Sequence, residues 1–135
     1  MKEKNFQTMF SKWIKGKNLP TTAWELKIVK LKSMPFDAVK EHQVKALLDA
    51  RFCGLYHKIN DAPWGGKMRF TTPKPFDCFN IAEAEAYVVI WFYHPRQKKE
   101  MIWIDINDFV DEKDTSKRKS LTEERAKEIG MTYDL

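Results

Sequence analysis

The stretch Ala23–Lys30 alternates apolar and charged side chains along a run that contains aromatic and β-branched residues. A period of two places successive side chains on opposite faces of an extended chain, so this stretch predicts a β-strand. One face is apolar and the other carries a carboxylate and an amine two residues apart; the first set is Trp24, Leu26 and Ile28, and the second is Glu25, Lys27 and Val29. The fold must therefore cover one face of this strand with a core and give the other face polar neighbours.

The pair Glu25 and Lys27 has two interpretations. A carboxylate can hold a divalent cation while a neighbouring amine binds a water or a phosphate oxygen, which is a minimal layout for metal-assisted phosphodiester hydrolysis. An ion pair on a solvated strand face gives the same pattern. The chemical interpretation is favoured by the surroundings, which include many basic residues, a predicted helix with His42-Gln43, and the later sequence Pro75-Phe76-Asp77.

The length and charge of the chain restrict its organisation and its partners. Its 135 residues are enough for one domain with a core and too few for two comfortable ones. The 24 lysines and arginines exceed the 19 acidic residues, which gives a formal charge of +5 and favours a polyanionic partner. Within residues 1–32 the lysines far outnumber the acidic residues, Glu3 and Glu25, so positive potential gathers around the predicted strand.

The cysteines and the apolar runs exclude several classes of protein. Cys53 and Cys78 form no C-x-x-C pair, so neither a disulfide framework nor a structural zinc site is expected. The N-terminal residues lack the apolar core of a signal peptide, and no apolar run reaches the length of a membrane span. We therefore expect a cytoplasmic protein with no membrane association, in the host cytoplasm if the chain is phage-encoded.

Hydrophobic periodicity predicts an alternation of helices and strands. The first predicted helix carries the apolar stripe from Phe6 to Ile14 and ends near Gly16. The others cover 38–51 and 121–129, with Gln43 on the apolar stripe of the second helix and a capping box beginning at Ser120. The predicted strands cover 23–31, 55–59, 76–81, 86–93 and 101–106, and a loop covers 60–74. Residues 1–111 are predicted to form an α/β domain, followed at 112–135 by a charged linker and a short C-terminal helix.

A longer series of residues resembles a known family. After Glu25-x-Lys27 come Pro35-Phe36, a helix with His42-Gln43 and a leucine pair, and then a glycine and another strand. This order resembles the RecU-type Holliday-junction resolvases of the PD-(D/E)xK nuclease superfamily, and small phage-encoded relatives are more similar still. The resemblance covers roughly residues 5–110. It implies an α/β fold with a restriction-endonuclease-like core, in which helices flank a central mixed β-sheet.

One feature of the family is displaced in this chain. The family places an aspartate after a proline on the strand before E-x-K, whereas Pro75-Phe76-Asp77 follows it. Residues 75–93 resemble the family's hairpin of an aspartate strand and an E-x-K strand, with Ile90 and Phe92 where the Glu and Lys would stand. We therefore predict a split site in which Asp77 meets Glu25 and Lys27, through a migrated aspartate or a permuted strand order.

The resemblance implies the chemistry of this site. Asp77 and Glu25 would hold Mg²⁺ or Mn²⁺, Lys27 would orient a water or stabilise the pentacovalent phosphorus, and Gln43 would support the site from its helix. Glu3 and Gln7 are the candidates on the first helix that would complete the metal site. The reaction would be hydrolysis of a DNA phosphodiester, with no small-molecule cofactor.

The predicted DNA contacts are cations that would neutralise backbone phosphates, which gives salt-dependent affinity with little sequence preference. They are Lys12, Lys15, Lys17, Lys30, Lys32, Lys67, Arg69 and Lys74. The expected partners are branched or duplex DNA. A four-way junction offers two symmetric strands to cut, so the resemblance also implies a homodimer.

Two other functions fit the same sequence. The chain could be a nucleic-acid-binding module that keeps the fold and the basic surface without catalysis, because the first helix offers no compelling third carboxylate. It could also be a nuclease of the same fold that processes linear duplex DNA. Asp77 has an alternative of its own, as an ordinary carboxylate at a turn or strand end.

Overall fold

The structure is a computed structural model, and it describes residues 2–53, 55–58, 78–81 and 83–135. In chain order the helices are α1 (Glu3–Ile14), α2 (Glu41–Leu48), α3 (Ile106–Thr115) and α4 (Glu123–Ile129). The strands are β1 (Thr22–Val29), β2 (Ser33–Pro35), β3 (Leu55–Lys58), β4 (Cys78–Ile81), β5 (Glu85–Phe92), β6 (Glu100–Asp105), β7 (Ser120–Thr122) and β8 (Met131–Asp134). Within the described ranges none of the helices has the length and apolar character needed to cross a lipid bilayer.

The centre of the fold is a four-stranded mixed sheet in the order β1-β5-β6-β8. β1 runs parallel to β5, with Glu25 opposite Val88 and Lys27 opposite Ile90, whereas β6 runs antiparallel to both β5 and β8. Strand β5 is central because its apolar run is buried on both faces. The predicted mixed sheet flanked by helices is confirmed.

Helix α1 covers one face of this sheet. The stripe predicted from the sequence places Phe6 and Phe10 in the core, and both are buried. They pack with Val89, Trp91, Met101 and Trp103 from the sheet. The apolar residues of β1 face this side, where Trp24, Leu26 and Ile28 join the same cluster. The predicted orientation of β1 is therefore confirmed.

The opposite face is covered by the remaining helices. Leu47 of α2, Phe109 of α3 and Ala126 of α4 are buried against apolar side chains of β5 and β6. The β5 and β6 residues on this side are Ala86, Val88, Ile90, Phe92, Ile102 and Ile104. Glu25 and Lys27 leave β1 on this face, since their register partners Val88 and Ile90 belong to it.

Two predicted elements differ from the structure. The second helix begins at Glu41 and ends at Leu48, and a π-helical turn continues it from Asp49 to Cys53. The predicted hairpin over 75–93 does not form, because β4 pairs with β3 and β5 lies between β1 and β6. The long apolar β5 buries more surface at the centre of the sheet than it would in a two-stranded hairpin.

The predicted charged linker near the C-terminus is also corrected. Helix α3 continues to Thr115, β7 pairs with β2, and β8 adds an edge strand beside β6. The predicted short helix is present as α4, but its N-cap is Thr122, whose Oγ1 accepts a hydrogen bond from the Arg125 N–H. Ser120 pairs with Pro35 in the β2–β7 ladder instead. Buried Leu121 explains why this polar segment packs against the domain.

Candidate active site

Glu25, Lys27 and Gln43 meet on the α2 face of the sheet. The Lys27 ammonium lies 3.0 Å from Glu25 Oε1, and the Gln43 Nε2–H donates to the same oxygen at 2.7 Å. The period of β1 places the two charges on one face, and packing of α2 brings Gln43 from 18 residues away in the sequence. The structure therefore unites three of the four predicted catalytic residues around one carboxylate oxygen.

The start of α2 fixes the orientation of Gln43. Its Oε1 accepts a hydrogen bond of 2.9 Å from the backbone N–H of Lys40, which would otherwise lack a helical partner. Its Nε2 is thereby directed to Glu25, since an amide that accepts through oxygen has only its nitrogen left to donate. The inward position predicted for Gln43 is confirmed, and its second partner is the helix N-terminus.

The pair Glu25 and Lys27 is largely withdrawn from water. Their side chains are 23% and 17% exposed, respectively, beside the apolar face that contains Val88 and Ile90. Ionised groups in such surroundings lose hydration, and an ion pair only partly offsets this loss. This face of β1 is therefore not fully solvated. The attraction between Glu25 and Lys27 is largely offset by their lost hydration, so the pair adds little to the stability of the fold.

A cavity of about 510 Å³ reaches this strand from the other side. It lies between α1 and β1 and is lined in part by Glu3, Gln7 and Glu25. β1 is the last strand of its sheet in the described part of the chain, so groups from both faces meet along its edge. Carboxylate and amide oxygens are ligands that Mg²⁺ accepts. Gln43 donates to Glu25 Oε1, so this hydrogen bond does not use Glu25 Oε2.

Three of the predicted metal-site residues, Glu3, Gln7 and Glu25, line this one cavity. The oxygen donors around the cavity fit the chemistry of a hard divalent cation. Among the residues that the structure describes, no three His, Cys, Asp or Glu side chains gather into a metal-binding group. Asp77 lies outside the described residues, so its meeting with Glu25 stays a prediction.

Five of the eight predicted DNA contacts lie in the described part of the chain, and three lie outside it. Lys12, Lys15, Lys17, Lys30 and Lys32 are exposed. The ammonium of Lys17 lies 4.2 Å from the ring centroid of Trp13, within the range of a cation–π contact. Lys67, Arg69 and Lys74 lie outside the described residues.

Three polar clusters were not predicted as sites. His94 Nε2 lies 2.7 Å from Glu123 Oε2, beside a cavity of about 230 Å³. Arg51 pairs with Asp105 at 3.6 Å, near Tyr87. A third cluster surrounds Ser116 and Thr122. Each cluster joins residues from separate elements, so no local sequence signal indicated the first two. The third includes part of the basic run at 117–119, which was visible in the sequence but was interpreted as a linker.

Comparison with known proteins gives no relative for this chain. No family model matches it, and neither the curated proteins nor the solved structures include a match.

Proposed function

We propose that this protein is a metal-dependent DNA endonuclease whose reaction centre contains Glu25, Lys27 and Gln43. The observation that supports it is the half-buried Glu25 carboxylate, one oxygen of which contacts both the Lys27 ammonium and the Gln43 amide. A carboxylate, an amine and an amide from two elements thus converge on one atom, which is the kind of constellation that active sites are built from. An ordinary surface ion pair would need neither partial burial of its side chains nor an additional hydrogen bond from Gln43.

Each residue has a distinct role in this proposal. Gln43 holds Glu25 in one orientation through its hydrogen bond, and the Glu25 carboxylate would be a ligand for Mg²⁺ or Mn²⁺. Asp77, with Glu3 and Gln7 from α1, would supply further oxygen ligands. Lys27 would donate to a water or to a phosphate oxygen, because its ammonium is already held beside the carboxylate. The bound cation would supply charge neutralisation at the phosphate and an acidified water.

The substrate is proposed from charge. Exposed lysines at 12, 15, 17, 30 and 32 occur on α1, after it and after β1. These positions would neutralise backbone phosphates and would read the shape of DNA rather than its sequence. The finer proposal is a Holliday-junction resolvase of the phage type, active as a homodimer, because symmetric cleavage of a junction needs two sites.

A non-catalytic DNA-binding module is the second candidate. It is favoured by the finding that, across the described ranges, no three metal-ligating side chains come together. In that case Glu25, Lys27 and Gln43 would anchor α2 to β1. The exposed lysines would still bind DNA.

A cleavage assay separates these candidates. Labelled four-way junction, linear duplex and single-stranded DNA are incubated with the protein and Mg²⁺ or Mn²⁺. We expect cleavage that is strongest on the junction and that falls about 10²- to 10⁴-fold in Lys27→Ala, since this is the usual contribution of one catalytic group. Glu25→Gln and Asp77→Asn should lose activity to a similar degree if both carboxylates serve the cation.

Lys45→Ala is the matched control. It removes a lysine from an exposed pair with Asp49 on the outside of α2, so it should leave cleavage unchanged. Binding without cleavage under both metals would reject the enzyme and support the binding module. Equal cleavage of junction and duplex would reject the resolvase and retain a nuclease that processes linear DNA. Full activity of Asp77→Asn would reject the split site.

A further inference from the structure

The connection between α3 and α4 forms a polar cleft that is separate from the site around Glu25. A cavity of about 270 Å³ lies there, and hydroxyl and cationic side chains dominate its lining. The lining includes Ser116, Lys117, Arg118, Ser120, Thr122 and Arg125. Hydroxyl groups and cations are the donors that bind phosphate oxygens.

Two of these hydroxyls are arranged as donors. Ser116 Oγ accepts a hydrogen bond from the Arg118 backbone N–H at 3.1 Å, and Thr122 Oγ1 accepts one from the Arg125 backbone N–H at 3.2 Å. A hydroxyl that accepts in this way keeps its own hydrogen for donation. Both groups are therefore held in position with an O–H available to an anion.

The charge inside the cleft is positive. Glu112 is its carboxylate, and both oxygens of Glu112 accept from the Arg125 guanidinium at 3.0 Å, so that charge is neutralised. Lys117 and Arg118 are exposed, and in the described part of the chain neither side chain forms an ion pair. These two cations are thus available to a ligand, whereas Arg125 is engaged with Glu112 and Glu128.

We propose that this cleft binds a phosphate group of the DNA backbone. The β2–β7 ladder connects it to the basic end of β1, because Ser33 pairs with Thr122 and the Glu123 N–H donates to the Lys32 carbonyl at 3.1 Å. Three residue pairs span roughly 10 Å, at about 3.3 Å per residue. That length corresponds to about three charges along one DNA strand. The choice of DNA as the source of the phosphate rests on the proposed function.

Salt dependence of DNA binding tests the cleft. Binding of labelled junction and duplex DNA is measured in EDTA over a series of salt concentrations, for wild type and for Lys117→Gln/Arg118→Gln. Each lost phosphate contact should reduce the slope of log affinity against log salt by about 0.9. We expect the double variant, which loses the contact to one phosphate, to lose about 0.9 units of slope and roughly tenfold in affinity at moderate salt.

The control has the same change in charge. Arg96→Gln/Lys99→Gln removes one arginine and one lysine from the exposed turn between β5 and β6, and it should change the slope much less. An equal effect of the two variants would show that only net charge matters and would overturn the site. Circular dichroism and denaturant unfolding of each variant confirm that the fold is retained.

Inorganic phosphate distinguishes the source of the ligand. Amide chemical shifts of Ser116, Arg118 and Thr122 are followed during titration with phosphate and with DNA. Chemical-shift changes during the DNA titration support the proposal. Changes during the phosphate titration with none during the DNA titration overturn the assignment to DNA. If the slopes of wild type and the double variant differ as expected but wild type never cleaves DNA, the nuclease proposal is rejected and the cleft is retained. Normal cleavage with an unchanged slope rejects the cleft alone.

Discussion

The two faces of the central sheet differ in composition although they share the same strands. The α1 face is aromatic, and Phe10, Trp24 and Trp103 make ring contacts with centroids 5.4–6.1 Å apart. The face toward α2, α3 and α4 is mainly aliphatic, with three phenylalanines and no tryptophan in its core cluster, and β1 adds Glu25 and Lys27 to it. Strand β1 thus stabilises the fold through one set of side chains and offers chemistry through the other.

This difference separates stability from function along one strand. Aromatic residues bury large areas and gain further from edge-to-face contacts. A half-buried ion pair gains little, because lost hydration offsets its attraction. The apolar set of β1 therefore accounts for its place in the sheet, and the charged set needs another explanation.

The largest expected effect is on the aromatic face. Phe6 is fully buried and packs against Phe10 and Trp91. Phe6→Ala should lower the free energy of unfolding by about 3–5 kcal/mol, through lost burial and a residual cavity. Urea denaturation measures this loss. A change below about 1 kcal/mol would mean that this side of the sheet collapses around the gap and is not the main source of stability.

A smaller effect is expected when the charged pair is replaced by apolar residues. Glu25→Leu/Lys27→Met should leave the free energy of unfolding unchanged or raise it by about 1 kcal/mol, since buried ion pairs are often no better than apolar side chains of similar volume. The single change Glu25→Leu should instead cost about 1–3 kcal/mol, because Lys27 and Gln43 lose their partner. Denaturation midpoints of the three proteins test this order.

The double variant also connects stability with activity. On the proposed function it should abolish DNA cleavage while remaining folded. If the double variant were strongly destabilised, the pair would be structural and the contrast between the two faces would fail.

The smallest effect concerns the rim of the aromatic face. Tyr87 packs on Trp103, and its hydroxyl donates to Glu85 Oε2 at 3.0 Å. Burial, and then this hydrogen bond, raise the pKa of Tyr87 to about 12 from its ordinary value of 10.0. The folded state thus favours the neutral phenol, so its contribution to stability is complete below about pH 10 and is lost as the pH rises toward about 12.

Ultraviolet titration of wild type against Tyr87→Phe isolates this group. The difference spectrum should show one tyrosine that ionises later than an exposed one. Ionisation of the Tyr87 hydroxyl near pH 10 would contradict the partly buried, hydrogen-bonded position of this side chain.

The sequence predicted the local structure well where a period was long and regular. The stripe of Phe6 and Phe10 indicated α1, and the alternation in β1 indicated which side chains share a face. Gln43 was predicted to point inward because it stands on an apolar stripe. Predictions failed where pairing partners had to be chosen, as for β4 and β5, and where a charged segment contained few buried residues, as at 112–135.

By itself, the sequence determined the amphipathic helix α1, the two-faced strand β1 and the inward glutamine of α2, because these depend on periods of two or 3.6 residues. Tertiary structure alone decided that Gln43 meets Glu25, that β8 completes the sheet and that Ser116 and Thr122 line one cleft. These contacts join residues far apart in the chain, and the choice among partners depends on the total surface that the fold buries. The strand with Glu25 and Lys27 could thus be recognised from its residues, and Gln43 could be named as a supporting residue. The contact of Gln43 with Glu25 Oε1 was decided only by the packing of α2 against β1.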